Sequence, residues 1–236
     1  MAPRDRHHEG RISALVRRGD YQGAMAMLND ATRLPALWRW YAAGRLSRNQ
    51  LNGLLRGWWS STHTSLSLEQ WQIIDMFDSA GFVRNARLPA GRLTIYRGQR
   101  AEAEIGVCWT LNEAVAAKFA LYHTDRGQSV VLSTTTESSA ILGYLKDRDE
   151  DEVIVDPDCL GEIQSQPLND RLRQLGERFL AEVAAKNASF SLEESPRCRK
   201  ARPIVGHRPD VVGLETQKGP NQWAHSDAQS QPRSSP

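Results

Sequence analysis

Apolar positions recur every three to four residues from Arg11 to about Ala80, and this period predicts a series of short helices. Ile12, Leu15 and Val16 form a first stripe, and Tyr21, Ala24, Met25 and Leu28 form a second, with Gly19-Asp20 breaking the chain between them. Pro35 suits the first turn of a third helix, where its missing N–H costs nothing, and Leu37, Trp38 and Tyr41 follow it. Ser47 is placed to cap a fourth helix bearing Leu51, Leu54, Leu55 and Trp58. A fifth spans 69–80 through Trp71, Ile74 and Phe77 and stops at Gly81. The ten residues ahead of these helices (MAPRDRHHEG) are polar and read as a loose terminus, with the His7-His8 pair solvated rather than ligating.

After the turn at Leu88-Pro89-Ala90-Gly91 the period changes to two. Leu93, Ile95 and Arg97 share one face of a strand, Gly106 to Thr110 make a short second strand, and β-branched residues fill 129–136. Between the last two, Leu111-Asn112-Glu113 opens a helix with Val115, Phe119 and Tyr122 on its buried stripe, ending near His123. Thr110 and Glu113 have the spacing of a capping box at its start. Ala140 to Leu145 reads as an apolar link, and Val153-Ile154-Val155 as a strand ended by Pro157. Leu168, Leu172, Leu175, Phe179 and Val183 then mark an amphipathic helix. From about Ser195 the chain is rich in Pro, Ser, Gln and Arg without periodicity, which predicts a disordered tail. Strands without repeated βαβ units point to an α+β fold with a mostly antiparallel sheet. The expected organisation is a helical N-terminal subdomain over 1–85, a sheet-bearing domain over 86–190 and a tail over 191–236.

Composition changes this picture little. The 236 residues suit one ordinary domain with an appendage, and a hydrophobic fraction of 40% predicts a packed core plus unpacked chain. No apolar run is long enough to span a bilayer, and the N-terminus lacks the apolar core of a signal peptide, so a cytoplasmic protein without membrane contact is expected. Cys108, Cys159 and Cys198 are scattered, without a CxxC, and imply neither a disulfide framework nor a zinc site. The helical half is basic, with ten Arg against four acidic residues through Ser60, and holds five of the seven Trp. A nucleic-acid interface is one reading of that face. Trp residues packing a bundle core beneath an Arg coat is the favoured one, because no nucleic-acid motif accompanies the charge.

Candidate chemistry sits at two places. Arg97 continues an apolar stripe, where a guanidinium needs a carboxylate partner or an anionic ligand, and Gly98 beside it would let a ligand approach the backbone. The run Arg148-Asp149-Glu150-Asp151-Glu152 leads into the Val153 strand. If extended backbone reaches back that far, Glu150, Glu152 and Ile154 share a face, with two carboxylates roughly 7 Å apart at the mouth of a sheet. Asp147, Asp149 and Asp151 have the first spacings of a calcium loop, but its glycine position is Glu152 and its bidentate Glu is Asp158, so no metal is expected.

Tyr96-Arg97-Gly98, then Cys108-Trp109-Thr110, then Glu150-x-Glu152 before a strand: this order resembles the Arg, Ser-Thr-Ser, Glu-x-Glu signature of the mono-ADP-ribosyltransferases related to clostridial binary and cholera-type toxins. The likeness covers roughly Leu93 to Pro157. It implies a split antiparallel sheet, NAD+ as substrate, and transfer of ADP-ribose to a protein acceptor, arginine given the Glu at 150, in a bacterial or phage effector. On that likeness Arg97 holds a phosphate of NAD+ and the Gly98 backbone meets the nicotinamide amide. Thr110 braces the cleft, Glu152 stabilises the ribosyl cation, Glu150 serves the acceptor, and 147–151 form the recognition loop. Cys108 stands where the family has a Ser that supports the catalytic Glu, and a thiol is a weaker donor. Two alternatives stand beside transfer: an NAD+ glycohydrolase of the same fold, and a non-enzymatic module that binds nucleic acid or protein through its basic helices.

Overall fold

Side-chain caps set where the helices of the first half begin. The computed structural model describes residues 3–62, 68–147 and 149–193. Helices α1 (Pro3–Arg17), α2 (Tyr21–Met27), α3 (Asp30–Ala42), α4 (Arg48–Trp58) and α5 (Gln70–Ala80) come first. Asp20 accepts from the Gly23 amide and Asn29 from the Thr32 amide, while Ser47 and Gln50 cap each other's backbone at the start of α4. Asn29 therefore opens the third helix, and Pro35 lies inside it rather than at its first turn. The expected loose terminus is the start of α1, and His8 there contacts the Met27 carbonyl. In α5 the buried face is Ile73, Met76, Phe77 and Ala80, rotated from the expected stripe. Trp71 stays exposed and meets Trp38 edge-on, with ring centroids 5.3 Å apart. Gly81 ends α5 at φ 68°, as its position implied.

Seven strands follow: β1 (Val83–Arg84), β2 (Arg92–Arg100), β3 (Cys108–Thr110), β4 (Ser129–Glu137), β5 (Ile141–Leu145), β6 (Glu152–Val155) and β7 (Gln164–Pro167). Helix α6 (Glu113–Leu121) lies between β3 and β4, and α7 (Asp170–Glu193) follows β7. The described residues thus form a mixed α/β fold with seven helices and one seven-stranded sheet, in the order β1-β5-β6-β3-β2-β4-β7. Every neighbouring pair is antiparallel except β1 with β5. The segment read as a link, Ala140 to Leu145, contains a strand, Ile141–Leu145, because both its faces are buried and its backbone pairs with β6. The tail expected beyond Ser195 lies outside the described residues.

Both faces of the sheet are covered. The helical half packs its core, including Trp59, Phe77 and Met76, against Val83, Val107, Leu145 and Ile154. Trp40 and Trp59 are buried there, which favours the packing reading of the tryptophans. The opposite face gathers Ile95, Trp109, Leu132, Val153 and Val155. Helix α6 is wedged between β2 and α7, and its buried side is Val115, Ala116, Ala117, Lys118 and Ala120. Small residues face inward because space is short, so Phe119 and Tyr122, expected inside, are exposed.

Gly98 is fixed by this packing. A Cβ there would lie 1.9 Å from the Ala116 carbonyl oxygen and 2.5 Å from the Ala120 nitrogen. The approach of α6 is by itself enough to require glycine here. Gly98→Ala is expected to lower the unfolding free energy by about 3 kcal/mol, because backbone on both sides must move. Chemical denaturation checks this, and a loss under about 0.5 kcal/mol contradicts the packing account.

Candidate active site

The middle of the sheet is nearly parted. β2 and β3 are joined at one register pair, Tyr96 with Thr110, whereas β2 and β4 pair along nine residues. Arg97 occupies the gap that opens next to that pair. Its Nη1–H donates to the Cys108 carbonyl at 2.5 Å and its Nε–H to Gln99 Oε1 at 2.7 Å. Gln99 is itself held, donating to the Ala103 carbonyl at 2.8 Å. The guanidinium therefore bridges the parted ladder by donating to a carbonyl of β3. Gly106 makes room for it, since a Cβ there would sit 2.6 Å from Nη2. Burial lowers the Arg97 pKa from its ordinary value, while Cys108 and Glu152 oppose that shift. Arg97 remains a cation, with Glu152 within electrostatic reach.

Glu152 is the first residue of β6, in register with Thr110 on β3 and Leu145 on β5. Residues in register share a face, so Glu152 and Thr110 lie side by side. Two residues on, Ile154 is fully buried in the helical core. Glu152 thus sits where the strand's buried stripe reaches the opening.

Glu150 reaches the same opening by another route. The extended conformation expected to carry it does not form, because Asp149 and Asp151 have φ of 58° and 45° and turn the chain twice. Five side chains pin this turn. Thr110 Oγ1 donates to the Glu150 carbonyl at 2.5 Å, and Asn85 and Ser60 both donate to the Asp147 carboxylate. Tyr144 donates to Asp151 at 2.6 Å and Lys186 pairs with Asp149 at 2.6 Å. Burial first, and then the bond to Asp151, push the Tyr144 hydroxyl up to about 12, so it remains a donor. Lys186 holds the Asp149 carboxyl below its ordinary value. Asp149 and Asp151 are thereby directed to these partners, and Glu150 is left facing the opening.

Thr110 does not form the expected capping box. Asn112 caps α6 through the Ala114 amide, and Glu113 pairs with Arg171 at 2.6 Å. The Thr110 hydroxyl instead links β3 to the Glu150 turn, accepting from the Asn112 amide at 3.1 Å. Cys108 offers its carbonyl to Arg97, and its half-buried side chain packs against the helical core.

These groups enclose one cleft of about 340 Å³. Arg97, Gly98, Cys108, Thr110, Glu150 and Glu152 all line it. Tyr96, Phe119, Tyr122 and His123 complete its walls and rim. Lys118 was not singled out from the sequence. Its Nζ lies 2.7 Å from Glu150 Oε1, and the two side chains are only 9% and 16% exposed. A lysine inside the Ala-rich stretch 114–120, on the stripe begun by Val115, was the available signal, since such a charge needs a partner. A larger depression of about 590 Å³ lies by Arg56, Arg84 and Arg87. It is shallow and bordered by exposed arginines, without the paired carboxylates that make the smaller cleft the chemical candidate.

Among the described residues no group of three or more His, Cys, Asp or Glu side chains is placed to hold a metal ion, and no helix is long and apolar enough to cross a membrane. Comparisons with protein-family models, curated proteins and solved structures give no match to this chain.

Proposed function

We propose that the cleft binds NAD+ and breaks its bond between ribose and nicotinamide, passing ADP-ribose to a protein arginine or, without an acceptor, to water. The observation that carries this reading is the convergence of Arg97, Thr110, Glu150 and Glu152, from three separate segments, on one cleft. A cation and two carboxylates are what the reaction asks for. The guanidinium of Arg97 suits a diphosphate oxygen. As the C1′–N bond breaks, its electron pair neutralises the nicotinamide ring nitrogen and leaves positive charge on the ribose. Glu152 offsets that charge, as a carboxylate does for the oxocarbenium ion of glycoside hydrolysis. The acceptor nitrogen then bonds to C1′, and Glu150 takes the proton it loses. The Lys118–Glu150 pair favours hydrolysis as the side reaction, because it ties up the acceptor-side carboxylate when no acceptor is present.

The test is incubation of the protein with NAD+ labelled in its ADP-ribose part, together with cell lysate. Labelled protein and free nicotinamide are expected. Nicotinamide without labelled protein would assign a glycohydrolase, and neither product would leave the basic helices as the functional surface.

Arg97 carries two roles at once, so its variants separate them. Arg97→Ala should cost about 1–3 kcal/mol of stability, because the Cys108 carbonyl and the buried Gln99 Oε1 both lose the donor they accept from. NAD+ binding to the protein that remains folded should weaken about tenfold or more, read by calorimetry. Unchanged affinity in folded Arg97→Ala would confine this residue to joining the sheet.

A further inference from the structure

A second cavity, of about 300 Å³, lies beyond Glu150, between α6, α7 and the acidic turn. Glu150 and Tyr122 line both it and the cleft. Its apolar wall is Phe179, Leu180 and Val183 of α7, and Asp149 and Glu150 supply carboxylates. Lys118 also lines it. The Lys118 Nζ lies 2.7 Å from Glu150 Oε1, 4.2 Å from the Phe119 ring centroid and 5.5 Å from that of Phe179. A carboxylate and two aromatic rings make a cation site, and the chain's own lysine fills it. With both partners largely shielded from water, either would be costly to leave alone.

We propose that Lys118 is an internal stand-in for the acceptor's cation. It holds Glu150 until a guanidinium, entering along the Phe179–Val183 wall, displaces it from the carboxylate and the rings. The inference rests on the transferase reading and adds to it a separate route for the acceptor with a latch at its end. An arginine side chain meets the demands of this route. Its stem is apolar, like the wall, and its planar head both stacks on rings and pairs with a carboxylate. Asp149 is already paired with Lys186, so Glu150 is the carboxylate for which the entering cation competes. Displacing Lys118 lowers the acceptor's apparent affinity, since the open form is a minor fraction before it binds.

The probe is agmatine, a small guanidine on an apolar stem, titrated calorimetrically without NAD+ into the wild type, Lys118→Met and Lys118→Arg. Lys118→Met should bind it about tenfold more tightly, within the usual range of coupling between competing contacts, and Lys118→Arg should return to the wild-type value. In parallel, acylation of the Lys118 amine in the wild type, mapped by mass spectrometry, should rise when agmatine is added, because the displaced amine loses its shelter. No tighter binding by folded Lys118→Met, or acylation of Lys118 that ignores agmatine, would overturn the inference. The acylation arm decides the matter if Lys118→Met does not fold. Neither readout uses NAD+, so failure of the NAD+ reading shows separately, as absence of nicotinamide release by the wild type.

Discussion

Glu152→Gln is expected to slow nicotinamide release from NAD+ by about 100- to 1000-fold, the size of one preorganised electrostatic contact with a charge that develops in the transition state. Hydrolysis and transfer should fall together, because both pass through the same broken C1′–N bond. NAD+ affinity should change far less, since the amide keeps the shape and most of the acceptor capacity of the carboxylate. The register of β6 makes this variant clean. Glu152 lies beside Thr110 at the end of the strand, while the packing of β6 comes from Val153, Ile154 and Val155, which stay as they are. Steady-state nicotinamide release with and without acceptor is the measurement. Activity within about threefold of wild type would remove Glu152 from the reaction.

Glu150→Gln should act differently. Arginine modification is expected to fall by about 100-fold, the usual range for loss of general-base help, while slow hydrolysis of NAD+ changes much less. The structure adds a consequence that the spacing of the two glutamates did not. With Glu150 neutral, the Lys118 ammonium loses its ion-pair partner in a setting only 9% exposed. Stability should therefore drop by about 3 kcal/mol in Glu150→Gln, and Glu150→Gln with Lys118→Met should recover most of it. Equal losses of transfer and hydrolysis in the Glu150 and Glu152 variants would mean that the two carboxylates share one role.

Much of the scaffold was legible from local chemistry. Ser47, Gly81 and the β-branched runs at 129–136 and 153–155 mark their elements because cap and strand preferences act over a few residues. Arg97 and Glu152 stood out for the same kind of reason, as charges continuing or adjoining apolar stripes. What the sequence hid depends on neighbours distant in the chain. β7, with the sequence Gln-Ser-Gln-Pro, has no apolar face and exists because β4 offers it an edge. The inward face of α6 is chosen by the tight fit between β2 and α7, which favours alanines over Phe119 and Tyr122. Glu150 lines the cleft with Glu152, but not through the extended backbone that the alternation implied. Two left-handed aspartates and the Thr110 hydroxyl aim it there, not an extended strand. Lys118 was missed because its partner lies 32 residues away, across the cleft wall.

Whether NAD+ occupies this cleft is tested most directly by a crystal structure of Glu152→Gln grown at saturating NAD+. The predicted result is NAD+ bound between Arg97 and residue 152, with a diphosphate oxygen on the Arg97 guanidinium and the nicotinamide ribose beside the residue-152 side chain. An empty cleft at saturating NAD+, or NAD+ bound elsewhere with Arg97 still joined to Cys108 and Gln99 alone, would contradict it.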